Sequence, residues 1–177
     1  YNDAAINLAK RNRYVLKTDI SDFYNQIYLH RIENIIDTCT KDSKLAKQLE
    51  NFLSNINTNT SKGIPIGPQV SAILGEAIMI DIDEFIVDMG IEHTRYVDDI
   101  LLFANDRNIL QNALNNLTRY LFNNHRLSIN NSKTKIYTSE EYTNRFISDF
   151  NKIEKEKIFE KLKALSEEIY EEKMREI

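Results

Sequence analysis

Apolar residues recur along this chain with two different periods. Where they alternate or form short runs, strands are predicted, at residues 14–20, 92–96, 100–104, 127–129 and 135–138. Where they recur three and four positions apart, helices are predicted, at residues 22–36, 43–52, 69–87 and 108–122. Strands and helices in this order predict an α+β domain, in which helices pack on one face of an antiparallel sheet.

The longest predicted helix, at residues 69–87, is expected to lie at the centre of the domain. Its apolar residues at helical spacing, and therefore its predicted buried face, are Ile73, Leu74, Ala77, Ile80 and Phe85. Both prolines of the chain lie just before it, in residues 63–68, together with two of the four glycines. This concentration of proline and glycine indicates a specialised loop at the start of this helix.

The last part of the chain differs in composition from the rest. From about residue 154, Glu and Lys surround apolar residues at helical spacing, namely Ile158, Leu162, Leu165 and Ile169. The pattern predicts a domain over residues 1–150, followed by a solvent-facing amphipathic helix over residues 151–177. This helix is interpreted as a connector to a further domain, with partner binding as the alternative.

Composition limits the classes of function. The 177 residues are 42% hydrophobic and 28% charged, as is usual for one globular domain, and no apolar run is long enough to span a bilayer. A cytoplasmic location without membrane attachment is therefore expected. Cys39 is the single cysteine, so neither an internal disulfide nor a zinc site is supported. The net charge of −4 argues against unaided binding to nucleic acid, unless bound cations offset it.

Carboxylates occur where predicted strands end. Asp19 and Asp22 follow the first strand, and Asp98 and Asp99 lie within an otherwise apolar hairpin. Adjacent acids in a half-buried turn raise each other's pKa unless a cation compensates them. Carboxylate oxygens, with a backbone carbonyl such as that of Ile20, are the ligands that Mg²⁺ selects. The alternatives are that Asp22 caps the following helix and that Asp98–Asp99 is a simple turn, although no glycine follows either acid.

Three stretches of the chain resemble motifs A, B and C of reverse transcriptases. In order, they are residues 18–24 (TDISDFY), 63–71 (GIPIGPQVS) and 95–100 (RYVDDI). Residues 127–134 (LSINNSKT) resemble motif D with its lysine. The resemblance covers about residues 14–138 and implies a polymerase palm, whose antiparallel sheet is of the ferredoxin or RNA-recognition type.

The same resemblance implies a two-metal phosphoryl transfer that adds deoxynucleotides to a primer. Asp19 and Asp98 would hold two Mg²⁺ ions, or Mn²⁺ as the alternative, with help from the Ile20 carbonyl, and Asp99 would complete the acidic cluster. Lys133 matches the lysine that protonates the departing pyrophosphate, although a surface lysine is the alternative. The catalytic residues so implied are Asp19, Asp98, Asp99 and Lys133.

Substrate-binding residues are implied by motifs A and B. Tyr24 matches the position whose ring lies under the sugar and excludes a 2′-hydroxyl, although an ordinary helix-face aromatic is the alternative. Gly67, Gln69 and Ser71 match the loop that approaches the incoming nucleotide. Ile66 departs from the pattern, since many reverse transcriptases have Gln there, and the usual Ser-Pro ending is absent. This variant resembles bacterial abortive-infection and phage-defence reverse transcriptases, some of which act without a template.

The partners implied are dNTPs and a nucleic-acid template-primer, RNA or DNA. Fingers and thumb are largely missing from this segment, so a further domain is expected as well, and the isolated segment is expected to be inactive if it depends on that domain. Assembly into a homo-oligomer is a further option. The competing hypothesis is a catalytically idle palm that acts as a nucleic-acid-binding or oligomerisation scaffold. Arg95, just before the acidic hairpin, is interpreted as a surface residue, with steadying a carboxylate or contacting the primer backbone as the alternatives.

Overall fold

The computed structural model describes residues 2–58 and 60–147. The connector helix predicted over residues 151–177 therefore lies outside the described residues. The helices are α1 (Asn2–Arg11), α2 (Phe23–Gln26), α3 (Leu29–Thr40), α4 (Ser43–Ile56), α5 (Gln69–Asp88), α6 (Arg107–Tyr120) and α7 (Ser139–Tyr142). The strands are β1 (Tyr14–Asp19), β2 (Glu92–Tyr96), β3 (Asp99–Ala104) and β4 (Lys135–Thr138). Among the helices in these ranges, none combines the length and the apolarity needed to cross a bilayer.

The strands form an antiparallel sheet in the order β2-β3-β1-β4. β1 lies inside this sheet, paired with β3 from Tyr14–Ala104 to Asp19–Asp99 and with β4 from Tyr14–Thr138 to Lys17–Lys135. With α5 between β1 and β2 and α6 between β3 and β4, the connectivity is the β-α-β-β-α-β pattern of ferredoxin-like folds. The predicted α+β class and antiparallel sheet are confirmed.

Both faces of the sheet carry apolar side chains, because β3 is a continuous apolar run rather than an alternating one. On one face, Leu16 and Leu102 pack with buried residues of α3, α4, α5 and α6 in the main core, as predicted. On the other face, Val15 and Phe103 join a smaller core with residues of α1 and α7. The sequence did not predict α1 or this second layer.

Helix α5 begins at the predicted residue, but it turns a different face inward. Leu74 is buried as predicted, whereas Ile73 and Ile80 are 68% and 57% exposed. The fully or almost fully buried apolar residues include Ile78, Met79, Ile82 and Ile86. The prediction was therefore wrong for Ile73 and Ile80 but not for Leu74 and Phe85, which pack in or against the main core. Because α5 is apolar on more than one side, helical spacing alone does not identify the inward one.

The helix predicted at residues 22–36 is broken in two. Ile27 adopts an extended conformation between α2 and α3, and Tyr28 forms a β-bridge with Lys62. The predicted capping of α2 by the Asp22 side chain is also wrong, because Asp22 has a left-handed backbone (φ 51°) and caps no backbone N–H. Its carboxylate instead accepts hydrogen bonds from the side chains of Asn25 (2.6 Å) and Gln26 (3.3 Å).

Candidate active site

Asp19, Asp98 and Asp99 meet at one end of the sheet. Asp19 is the last residue of β1, and it is paired across the ladder with Asp99, the first residue of β3. Beside this pair, the backbone N–H of Ile20 donates to the carbonyl oxygen of Asp98 at 3.3 Å. The register of β1 and β3 therefore gathers carboxylates that lie far apart in the sequence.

Two lysines neutralise part of this acidic cluster. Lys133 Nζ lies 3.0 Å from Asp19 Oδ1, and Lys17 Nζ lies 2.6 Å from Asp99 Oδ1. The hydrogen bond from Lys133 to Asp19, together with the charge of Asp19, raises the pKa of the Lys133 ammonium. Lys133 therefore remains protonated at neutral pH and can serve as a proton donor beside the carboxylates.

The segment that carries Lys133 is held against the end of β1. The backbone N–H of Asn130 donates to the carbonyl oxygen of Asp19 at 2.8 Å. Thr134 Oγ1 lies 2.7 Å from Thr18 Oγ1 and donates to the carbonyl oxygen of Asn130 at 2.8 Å. These bonds position a short 3₁₀ turn, Asn131–Lys133, so that its last residue reaches Asp19.

Asp98 is the most electrostatically strained of the carboxylates. Burial raises its pKa above the usual value, and the nearby charges of Asp19 and Asp99 raise it further. A cation at this position would offset that repulsion. The three acids offer carboxylate oxygens as metal ligands, and Mg²⁺ and Mn²⁺ prefer oxygen ligands of this type. These residues have the ligand chemistry of a divalent metal site, but in this structure Asp19 and Asp99 are paired with lysines and the three carboxylates do not surround a common point.

The turn that presents Asp98 has an unusual backbone. Val97 has a left-handed conformation (φ 56°), which is strained for a β-branched residue. Arg95 Nη1 donates to the carbonyl oxygen of Val97 at 3.2 Å, and its other guanidinium nitrogens bind carboxylates of α5, Glu76 and Asp83. The Arg95 side chain is only 11% exposed. Arg95 thus steadies carboxylates, as one of the sequence interpretations proposed, but those carboxylates lie on α5.

Tyr24 lies on α2, half-buried against the main core and in edge-to-face contact with Phe23. Burial raises the pKa of its phenol, and the charges of Asp98 and Glu76 raise it further. The structure thus brings Tyr24 into the electrostatic neighbourhood of the carboxylates. A Cβ added at Gly75 would lie 3.3 Å from Tyr24 Cε1, so α5 closely backs the ring.

The predicted substrate-binding residues of the glycine-rich loop lie where α5 begins. Gly67 has a left-handed conformation (φ 113°) with open space around it, and Gln69 is exposed. Ser71 is 4% exposed, and its N–H donates to the carbonyl oxygen of Pro68 at 3.0 Å. The structure therefore leaves Gly67 and Gln69 accessible and turns Ser71 inward. Their role in binding substrate stays a prediction.

Sequence reasoning missed Lys17 and gave Glu76 no defined role. Lys17 lies two positions before Asp19, on the same side of β1 by strand alternation, and this spacing was the available signal. For Glu76 the signal was an acid next to a glycine in the otherwise apolar first half of the helix. Its partner Arg95 could not be identified without the tertiary structure.

Comparisons with known proteins agree with this geometry. A sequence model of the family "Reverse transcriptase (RNA-dependent DNA polymerase)" matches residues 2–158. A search of curated proteins finds no match for this chain.

Two telomerase structures share the fold. Apo telomerase from Candida tropicalis superposes with a TM-score of 0.55 at 11% sequence identity, over 79% of this chain and 31% of that one. Telomerase from Candida albicans, in complex with a TWJ fragment of telomeric RNA, superposes with a TM-score of 0.53 at 16% identity, over 76% of this chain and 29% of that one. The chain thus spans about a third of the length of these structures, and the likeness shows the fold alone.

Proposed function

Since this chain belongs to the reverse transcriptase family, we propose that it is the palm of an RNA-directed DNA polymerase that adds deoxynucleotides to a primer end. The observation that carries the proposal is the convergence of Asp19, Asp98 and Asp99 at one end of the sheet, with Lys133 in contact with Asp19. A site of oxygen ligands with a proton donor beside it is suited to phosphoryl transfer.

Asp19 and Asp98, with the backbone carbonyl of Ile20, would hold two Mg²⁺ ions, and Mn²⁺ is the alternative. When bound, such ions lower the pKa of an attacking hydroxyl and neutralise phosphate charge. The raised pKa of Asp98 supports this assignment, because burial and the charges of Asp19 and Asp99 favour its neutral form even with Lys133 nearby, and a cation would offset them. Asp99 contributes negative charge from the next position, where Lys17 holds its carboxylate in place.

The remaining steps fall to the side chains around the carboxylates. The primer hydroxyl loses its proton to solvent and attacks the α-phosphorus of a dNTP; the new phosphodiester bond forms as the bond from the α-phosphorus to the bridging oxygen breaks, and pyrophosphate leaves. Lys133 donates a proton to that leaving group from its place beside Asp19. Tyr24 lies under the sugar and excludes a 2′-hydroxyl, while Gly67 and Gln69 line the nucleotide from the start of α5 and the buried Ser71 supports the loop from within. The partners are therefore dNTPs and a nucleic-acid template-primer, together with a domain beyond this segment.

We place the protein in a bacterial phage-defence or retroelement system, on the motif B departures at residues 66–71. Ile66 is 71% exposed in that loop, where an amide side chain would otherwise be available for polar contacts with the nucleotide or template. Because Ile66 cannot make these polar contacts, we expect the protein to use a template weakly or not at all. The cytoplasmic location and homo-oligomer formation stay predictions from the sequence.

The full-length protein tests this function directly. It is incubated with Mg²⁺ and labelled dNTPs or rNTPs, with and without an RNA template-primer, and the products are resolved by length. DNA copied from the template supports a conventional reverse transcriptase, and untemplated DNA supports the phage-defence interpretation. No product under any of these conditions contradicts the proposal and favours the idle scaffold.

A further inference from the structure

We propose that Glu76 and Arg95 are positioning residues that couple the sugar-selecting Tyr24 to the hairpin that carries Asp98. The proposal rests on the polymerase function proposed above and adds two residues to it. Neither residue is proposed to touch substrate or metal. Their effect would pass through the backbone of α5 on one side and the turn at Val97 on the other.

Arg95 clamps β2 to α5 with paired hydrogen bonds. Its Nη1 and Nη2 donate to Glu76 Oε1 and Oε2 at 2.9 and 2.8 Å. Its Nε donates to both oxygens of Asp83, at 2.8 and 2.9 Å. Because Glu76 and Asp83 lie seven residues apart, they occupy the same side of α5 about two turns apart. The guanidinium therefore sets both the rotation and the height of α5 relative to the hairpin.

The same guanidinium holds the turn that presents Asp98. It donates a hydrogen bond to the carbonyl oxygen of Val97, and the left-handed backbone of Val97 is unfavourable for a valine. Such a conformation persists only when its surroundings hold it in place. Without Arg95, the turn can relax and displace the next residue, Asp98, from the other carboxylates.

The link to Tyr24 runs through the residue before Glu76. At Gly75 the α5 backbone comes so close that an added Cβ would lie 3.3 Å from ring atoms of both Tyr24 and Phe23. The helix therefore forms the wall behind the Tyr24 ring, and a movement of α5 moves the ring. The charges of Glu76 and Asp98 both act on the Tyr24 phenol, which is consistent with this proximity.

A purely stabilising ion pair would change the fraction of folded protein without changing the selection of the sugar. A positioning pair changes selection in protein that is still folded. The ratio of kcat/KM for dNTP to that for rNTP, together with thermal unfolding, therefore separates the two roles.

The test compares Glu76→Gln and Arg95→Lys with the matched control Glu50→Gln in the full-length protein. Glu50 pairs with Lys47 on the surface of α4, outside the proposed site. Lysine cannot reproduce two bidentate contacts, and Gln loses the charge that binds the guanidinium. We expect both site variants to lose roughly 10–100-fold in kcat for dNTP, because small displacements of reacting groups have effects of this size. We also expect their preference for dNTP to fall several-fold, whereas Glu50→Gln retains wild-type values.

An unchanged sugar preference in both variants would overturn the coupling, as would a loss of rate that only follows the loss of folded protein. If Arg95→Lys does not fold, Glu76→Gln decides the matter, because its Arg95–Asp83 pair remains intact. If the wild type adds no nucleotide, the polymerase proposal fails instead. Mn²⁺ binding by calorimetry then decides the link to the hairpin: weaker binding in Arg95→Lys than in the wild type supports it, and equal binding overturns it.

Discussion

Asp98 is a residue whose charge is costly for the fold, and the proposed chemistry gives a reason for that cost. It lies half-buried beside two other acids, so burial and like charges together raise its pKa. Its backbone is held by Ile20 on one side and, through Val97, by Arg95 on the other. Removing the carboxylate therefore removes repulsion without removing a bond on which the fold depends.

Asp98→Ala is expected to abolish nucleotide addition in the full-length protein while thermal unfolding stays close to that of wild type. Asp106→Ala is the opposite control, because Asp106 caps α6 through the Asn108 N–H at 2.8 Å. That variant should lose about 1 kcal/mol of stability and keep its activity. Primer extension and thermal denaturation measure both effects. Unfolding of Asp98→Ala would demote the residue to a structural role.

Tyr24 allows a prediction about the selection of the sugar. Tyr24→Ala should admit ribonucleotides, because the ring that excludes the 2′-hydroxyl is gone. Tyr24→Phe keeps the ring, and it should retain the preference for dNTP. The comparison is made by kcat/KM for dNTP and rNTP. If Tyr24→Ala discriminates as well as wild type, Tyr24 is an ordinary helix-face aromatic.

His125 leads to a prediction about pH rather than catalysis. Its buried ring lies with Nε2 3.0 Å from Asp81 Oδ2, and burial lowers its pKa below the ordinary value of 6.5, against the opposing charge of Asp81. As the pH falls, His125 is therefore protonated in the unfolded chain before it is protonated in the folded protein. The stability from this residue should be complete above about pH 6.5 and decline as the pH falls below it. The free energy of unfolding is measured with urea between about pH 7.5 and 5, the range in which histidine titrates. It should fall less steeply with decreasing pH in His125→Gln than in the wild type.

At the scale of elements, α5 joins the main core, the glycine-rich loop and the acidic hairpin. Its first turn follows Pro68, its middle backs Tyr24 at Gly75, and Glu76 and Asp83 bind Arg95. Its outward side exposes Ile73 and Ile80. One helix therefore places several parts of the proposed site at once.

Gly75→Ala tests the contact between α5 and Tyr24. Alanine should favour the helix by about 1 kcal/mol, while its Cβ forces the two aromatic rings to shift slightly. We expect the two effects on unfolding free energy to offset each other largely, and the preference for dNTP over rNTP to change several-fold. Chemical denaturation and single-nucleotide incorporation measure these quantities. Unchanged selection would show that α5 does not set the position of the ring.

At the scale of the whole molecule, the metal binding proposed for the acidic cluster would be coupled to stability. A divalent cation that binds the folded site and not the unfolded chain stabilises the fold by about 2.7 kcal/mol at a free concentration 100 times its Kd. Mg²⁺ should therefore raise the Tm of the wild type, and EDTA should reverse the rise. Asp98→Ala should show a much smaller rise. Equal rises in both proteins would place the stabilising ion elsewhere.

The amino-acid sequence by itself determined the fold class, the order of most elements and the candidate carboxylates. These follow from local information: apolar periods, the loop at residues 63–68, and acids placed at strand ends. The pairing of Asp19 with Asp99 confirms that the strands bring these acids together. Their roles as metal ligands stay predictions.

Only the tertiary structure decided which side of α5 is buried, where the helix after β1 breaks, and which partners Lys17 and Arg95 bind. The α5 helix is apolar on more than one side, so its orientation depends on what packs against it, as the exposure of Ile73 shows. The extended Ile27 depends on the bridge between Tyr28 and the distant Lys62. Long-range contacts of this kind leave no periodic signal in the chain, because they arise from the packing of elements against one another.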